Sequence, residues 1–202
     1  MDARLIAWGR RVKRISGPPP LWLFSDPARM PDLLAVVRAL PPGLCGPGLC
    51  GIVFRHDSAP DRATLGAALA ALCRARKITL VVAGDTRLAA ALHAGVHLRG
   101  GQRHGFLPLS RHVLITASAH NQAQLHRAKR AGAKIVFISP VFPTASHPGA
   151  PVLGIYGFQT LARRAGRAKP FALGGIEGNT IRRLGDSCAG CGAIEAYLTS
   201  NT

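Results

Sequence analysis

Ile135-Val136-Phe137-Ile138, running straight into Ser139-Pro140-Val141-Phe142-Pro143-Thr144, is the stretch that decides the fold. The four-residue apolar run is too short for a helix and shows no polar alternation, so both of its faces call for apolar neighbours. That is the mark of a strand in a parallel sheet whose outer side is covered by helices. Just upstream, Asn121 to Ala131 reads as a helix. Downstream, Ser139 to Gly154 is rich in Pro, Ser and Gly and reads as a long loop. Helix, strand and loop make one repeat of a β/α architecture.

The same alternation extends in both directions. Upstream the apolar runs are Leu21–Phe24, Gly51–Phe54, Ile78–Val82, Gly95–Leu98 and Val113–Ile115. Downstream they are Phe171–Leu173 and a final strand near Gly192–Tyr197. Helical stretches fall between them: Leu33–Leu40, Asp61 through Leu72, Thr86–His93, a segment through Phe158, Leu161 and Ala165, and Asn179–Leu184. A closed barrel of eight such units needs roughly 200 residues or more, and the chain has 202. Residues 18–202 are therefore expected to form an α/β (β/α)8 TIM barrel, a single domain with its last outer helix short or absent. Residues 1–17 are a basic N-terminal extension. Leu5, Ile6, Trp8, Val12 and Ile15 sit near helical spacing there, so a short amphipathic helix under the barrel floor is expected. A doubly wound open sheet is the competing architecture, but no GxGxxG follows a strand.

Lys+Arg total 26 against 9 Asp+Glu, a formal charge of +17. Such a field suits nucleic acid, or anionic small molecules such as phosphates. No basic run is interleaved with aromatics and no zinc-finger spacing appears, so nucleic acid is not the expected partner. No apolar stretch reaches the ~20 residues of a membrane span. The basic start lacks the apolar segment of a secretory signal. The cysteines are Cys45, Cys50, Cys73, Cys188 and Cys191. An odd count without a signal points to a reducing cytoplasm. Cys188 and Cys191 form a CxxC that could join Cys45 and Cys50 in a zinc site, although packing thiols are the simpler reading.

In a parallel barrel, chemistry sits on the loops that follow the strands. Those positions hold Asp26, Arg55-His56-Asp57, Gly84-Asp85, Arg99-Gly100-Gly101, Ser118-Ala119-His120, Ser139 to His147, and Gly174-Gly175. Arg55 offers a fork of donors to phosphate oxygens, and a charge ending an apolar strand is costly unless it is used. Two glycines after the seventh strand suit anion binding by loop amides. Ser118, Thr144 and Ser146 supply hydroxyls, while His120 and His147 can move protons near neutral pH. His97 lies within a strand and reads as a core histidine. Arg163, Arg164, Arg182 and Arg183 read as a solvated helix face.

Taken in order, these segments resemble the thiamine phosphate synthase/TenI family. Leu23-Phe24-Ser25-Asp26 resembles its opening strand, and Val53-Phe54-Arg55 its glutamine-x-arginine strand. Gly95-Val96-His97-Leu98, Ser118-Ala119-His120, Ser139 to Thr144 with Gly154, Ala172-Leu173-Gly174-Gly175-Ile176 and Gly192-Ala193-Ile194 follow in sequence. The resemblance runs over about residues 20 to 198. It implies a TIM barrel and a reaction joining a pyrimidine diphosphate to a thiazole phosphate. Pyrophosphate leaves with the help of Mg2+, and the thiazole nitrogen attacks the pyrimidine cation.

Carried over by residue, the resemblance makes Arg55, His120 and His147 the catalytic candidates, with Arg55, His147 and Arg99 on pyrophosphate. Gly174 and Gly175 would take the thiazole phosphate, and Ser118, Thr144 and Ser146 would orient the substrates. Several positions depart from the pattern. Val53 replaces the glutamine, Asp57 the lysine, Ala83-Gly84-Asp85 the asparagine-aspartate-arginine, and His147 the loop lysine. Arg99-Gly100-Gly101-Gln102 holds no acid, and the final-strand serine has no match, Tyr197 lying near its place. Magnesium would thus depend on Asp85 and Asp57. Three readings stay open: a synthase, a TenI-like tautomerase with His120 as proton shuttle and no metal, and a non-catalytic homologue that keeps the phosphate site. The expected ligands are small phosphorylated molecules, and association into a homo-oligomer is left open.

Overall fold

Short β-branched and aromatic runs become strands here, and the alanine- and leucine-rich stretches between them become helices. The computed structural model describes residues 2–13, 17–44, 48–100, 113–145 and 148–198. In chain order the elements are α1 (Ala3–Lys13), β1 (Leu21–Phe24), α2 (Leu33–Ala39), β2 (Cys50–Phe54), α3 (Arg62–Ala75), β3 (Thr79–Ala83), α4 (Thr86–Ala91) and β4 (Gly95–Leu98). They continue with β5 (Ile115–Ala119), α5 (Gln122–Arg130), β6 (Ile135–Ile138), α6 (Gly154–Arg163), β7 (Lys169–Leu173), α7 (Gly178–Ile181) and β8 (Gly190–Ala193). The strands form a closed parallel barrel in sequence order, sealed where Leu21 of β1 stands beside Cys191 of β8. Asp32, Asp85 and Asn121 open α2, α4 and α5 by accepting from the amides of Ala35, Leu88 and Gln124. Each thereby satisfies a donor that a helix start leaves unpaired.

The barrel interior is filled by Trp22, Phe24, Val53, Val81, Ala83, Ile135, Phe137 and Phe171. Phe137 meets Phe24, Phe171 and Trp22 edge-on, with centroids 4.8, 5.5 and 5.8 Å away. Glycines on neighbouring strands make the room. A Cβ at Gly51 would fall 2.5 Å from the Trp22 ring, one at Gly190 2.3 Å from Phe171, and one at Gly192 2.5 Å from Phe24. Large and small side chains thus alternate across the interior, which brings it to close-packed density. Cys50, Cys73, Cys188 and Cys191 are buried, and burial pushes the Cys188 thiol up to about 12. Cys45 lies outside the described residues.

Three elements differ from the sequence expectation. Val113–Ile115 was too early for the fifth strand, which runs Ile115–Ala119. Its inward residues, Thr116 and Ser118, are polar because they face His97. The last strand is Gly190–Ala193, not Gly192–Tyr197, and Glu195–Tyr197 is a 3-10 turn. The N-terminal helix does not lie under the floor. The Asp2 amide donates to the Ala196 carbonyl at 3.0 Å, beyond the end of β8. At the other end the Lys13 ammonium donates to Gly17 O at 2.9 Å, just before β1. Helix α1 therefore runs down the flank, against α7 and over Leu21 of β1. An outer helix following β8 would occupy that flank. Among the described residues no helix is long and apolar enough to cross a membrane.

Candidate functional site at the barrel mouth

A cavity of about 920 Å³ opens at the C-terminal ends of the strands, the end where barrels of this kind carry their chemistry. Among the sequence candidates, Arg55, Arg99, Ser118, His120, Thr144, Gly174 and Gly175 line it, together with Asp57. Asp85 does not. Ser146 and His147 lie outside the described residues.

Arg55 follows β2 and is held from several sides. Its Nε donates to Ser25 O at 2.8 Å, its terminal nitrogen pairs with Asp26 at 3.8 Å, and its guanidinium lies over the Phe24 ring, 5.4 Å from the centroid. Burial pushes its pKa down; Asp26 opposes that shift and the nearby Arg99 adds to it. A directed chain sets its backbone. His56 Nε2 is 3.3 Å from Met30 O, a carbonyl that can only accept, so the ring proton sits on Nε2. Nδ1 is then the acceptor for the Ser25 hydroxyl at 3.0 Å, and Ser25 Oγ accepts the Arg55 amide at 2.8 Å. Arg99, after β4, pairs with Asp57.

His97 is buried at the base of this cavity, with Nδ1 2.8 Å from Thr116 Oγ1 and Nε2 3.0 Å from Ser118 Oγ. Burial, helped by Arg55 and Arg99, pushes its pKa down to about 3. The ring is therefore neutral, with one nitrogen donating and the other accepting, and it fixes the Ser118 hydroxyl. His120 Nδ1 lies 2.8 Å from the Ser139 carbonyl. That contact puts the His120 proton on Nδ1 and leaves Nε2 as a basic lone pair.

Across the mouth, Gly174 and Gly175 turn with φ of 91° and 63°. A Cβ on Gly174 would come within 2.9 Å of Pro140 Cα, and one on Gly175 within 2.4 Å of Pro143 O. The loop after β6 is bonded to this turn, Val141 N to Leu173 O and Phe142 N to Gly174 O, both at 3.0 Å. The two glycines thus let loop six lie directly against loop seven. Arg183, read from the sequence as a solvated residue, lines the cavity with its guanidinium 5.5 Å from the Phe142 ring centroid. Sequence reasoning also passed over Ser25 and Arg62, whose roles depend on residues distant in the chain.

The residues present do not fit the magnesium that the resemblance implied. Hard divalent cations need carboxylate oxygens free to point at them. Asp57 and Asp85 are instead bridged by Arg62, at 3.0 and 3.1 Å. Asp85 also caps α4. Asp57 is held a second time by Arg99. Among the described residues no group of three or more His, Cys, Asp or Glu could hold a metal ion.

The family model described as thiamine monophosphate synthase matches residues 28–196. The thiamine-phosphate synthase of Thermosynechococcus vestitus is 30% identical over 182 residues, covering 86% of this chain and 49% of the relative. That of Methylococcus capsulatus is 37% identical over 134 residues, 59% of this chain and 58% of the relative. The chain thus spans about half the length of the curated relatives it matches. In three dimensions it resembles the thiamine phosphate pyrophosphorylase from Pyrococcus furiosus, with a TM-score of 0.69 at 25% identity over 87% of this chain and 85% of that one. A 2-keto-3-deoxy-6-phosphogluconate aldolase from Zymomonas mobilis, at 12% identity and a TM-score of 0.58 over 96% and 88%, shares the fold alone. With the family model matched over residues 28–196, most of the barrel, the chain belongs to the thiamine monophosphate synthase family.

Proposed function

We propose that the mouth is a thiamine phosphate synthase-like site, which joins a hydroxymethylpyrimidine diphosphate to a thiazole phosphate and releases pyrophosphate. The observation that carries the reading is the division of one cavity into two walls. Arg55 and Arg99 form a cationic wall after β2 and β4, and the glycine turn after β7 stands half a barrel away. Two phosphate-bearing substrates need two such walls. In the reaction the carbon–oxygen bond to the diphosphate breaks, and its electron pair leaves with pyrophosphate. The thiazole nitrogen lone pair forms the new carbon–nitrogen bond.

Arg55 and Arg99 stabilise the charge gathering on the leaving group, where preorganised donors act most strongly. Ser118, oriented by His97, and Thr144 position the rings. Gly174 and Gly175 receive the thiazole phosphate. Ser146 and His147 are assigned to the same loop chemistry on resemblance alone. The chain's setting in this reading is the cytoplasm.

A second reading rests on His120. Its bond to the Ser139 carbonyl leaves Nε2 able to take and return a proton, which is what a thiazole phosphate tautomerase needs. Turnover of the two substrates separates the readings. The synthase reading expects thiamine phosphate, with kcat/KM falling about 100-fold in Arg55→Ala. Solvent deuterium entering thiazole phosphate, lost in His120→Ala and without any condensation, would favour the tautomerase. Thiazole phosphate that binds but is never converted would leave a non-catalytic binder.

A further inference from the structure

We propose that this mouth takes its phosphate-bearing ligand without a divalent cation, because arginine side chains already hold the carboxylates that would bind one; the inference rests on the phosphate-site reading above. The whole sequence has 9 Asp and Glu, and every one lies among the described residues. Asp26, Asp57, Glu177 and Glu195 line the cavity. Asp26 pairs with Arg29 at 3.6 Å and with Arg55, and Glu195 pairs with Arg29 at 3.8 Å. Glu177 is spent in the capping box of α7 with Thr180. Asp57 lies between Arg62 and Arg99.

Arg62 stands where a cation bridging two carboxylates would stand. One terminal nitrogen meets Asp85, and the other meets both Asp57 and the Ala83 carbonyl, the latter at 2.9 Å. Its guanidinium also lies 5.7 Å from the Phe54 ring centroid, and its side chain is only 18% exposed. A metal could reach Asp57 and Asp85 only by expelling this side chain and leaving a guanidinium without its partners, a costly exchange in a partly dry site.

The positive charge is supplied from the cavity wall instead. Arg55, Arg99 and Arg183 line one cavity. Arg99 lies close enough to Arg55 to disfavour the Arg55 charge, a tension that a ligand dianion relieves. A guanidinium meets two phosphate oxygens at once, so the ligand class is a phosphate monoester or a diphosphate.

The test is calorimetric titration of the full chain with inorganic pyrophosphate, in EDTA and in magnesium, beside a spin-resonance titration with Mn2+. The expected result is pyrophosphate binding in EDTA that magnesium does not tighten, a loss of about tenfold in Arg99→Ala, and no Mn2+ taken up by the unaltered protein. Arg62→Met, once shown by circular dichroism to be folded, frees Asp57 Oδ1 and Asp85 Oδ2 and is expected to acquire Mn2+ binding. Pyrophosphate that binds at least tenfold more tightly with magnesium, or Mn2+ uptake by the unaltered chain, overturns the inference and leaves the phosphate site standing. A folded Arg62→Met that takes up no Mn2+ overturns Arg62 as the stand-in cation. Pyrophosphate that binds under neither condition removes the phosphate-site reading itself.

Discussion

At the residue scale the mouth depends on histidines that sequence reading treated unevenly. Ser118 was visible because it ends a strand, whereas His97 looked like core. It is core by burial, yet its two nitrogens hold Thr116 and Ser118. Its folded pKa of about 3 lies below the value near 6.5 expected in an unfolded chain. The unfolded state therefore binds the extra proton first as pH falls. The stabilisation is complete above pH ~6.5 and is lost progressively below it, by about 1.4 kcal/mol per pH unit for this one group. Urea unfolding between pH ~6.5 and ~5, above the range where most carboxylates titrate, is expected to show that slope in the unaltered chain. His97→Asn should flatten it while lowering stability at neutral pH. An unchanged slope in the variant would mean that another group carries the acid sensitivity.

At the element scale, the strands that the hydrophobic pattern missed or displaced are those whose inward residues are polar or absent. β5 hides behind Thr116 and Ser118, and β8 behind Gly190 and Gly192. In each case the missing apolar signal is supplied by a neighbour, His97 for one and Phe24 or Phe171 for the other. Helix α1 was legible as a helix but not in its position, because that is set by a side chain reaching across the fold. Asp2 Oδ1 accepts from Arg4 N at 2.9 Å and Leu5 N at 3.1 Å, while its Oδ2 accepts from Gly178 N at 2.6 Å. One carboxylate thus caps α1 and α7 together. Asp2→Ala is expected to lower the unfolding free energy by about 1–2 kcal/mol in urea, and Asp2→Asn by less. A loss within error for Asp2→Ala would show that Leu5 and Trp8, both buried, dock the helix without the cap.

Across the whole molecule the +17 charge becomes a question of where the few acids are spent. Asp2, Asp32 and Asp85 cap helices, and Asp26, Asp57, Asp85 and Glu195 pair with arginines at or near the mouth. Little negative charge is left for the outer helices. Helix α5, for example, has no acid in its first turn and carries Arg127, Lys129 and Arg130 in its last. Self-repulsion of this kind is screened by salt. The Tm is therefore expected to rise by several degrees between low salt and ~0.5 M NaCl, about 1 kcal/mol or more for a chain of this size. A Tm that is flat or falls with salt would mean that the mouth ion pairs, which salt weakens, outweigh the repulsion on the outer faces.

The chain's own order of residues carries the β/α alternation, its count and the family, and it puts Arg55, Ser118, His120 and the glycine pair at strand ends, where they line the mouth. Each of these is written in a local pattern: an apolar run, a turn dipeptide, or a residue just past a strand. The tertiary structure alone decided which charges meet. Asp57 and Asp85 look available for a metal in one dimension, since only the fold brings Asp85 to the Arg62 that follows Asp57. The same holds for Asp2 on α7 and for Arg183 over Phe142. These are contacts set by tertiary packing, and pairing energies of that kind leave no periodic trace in the chain.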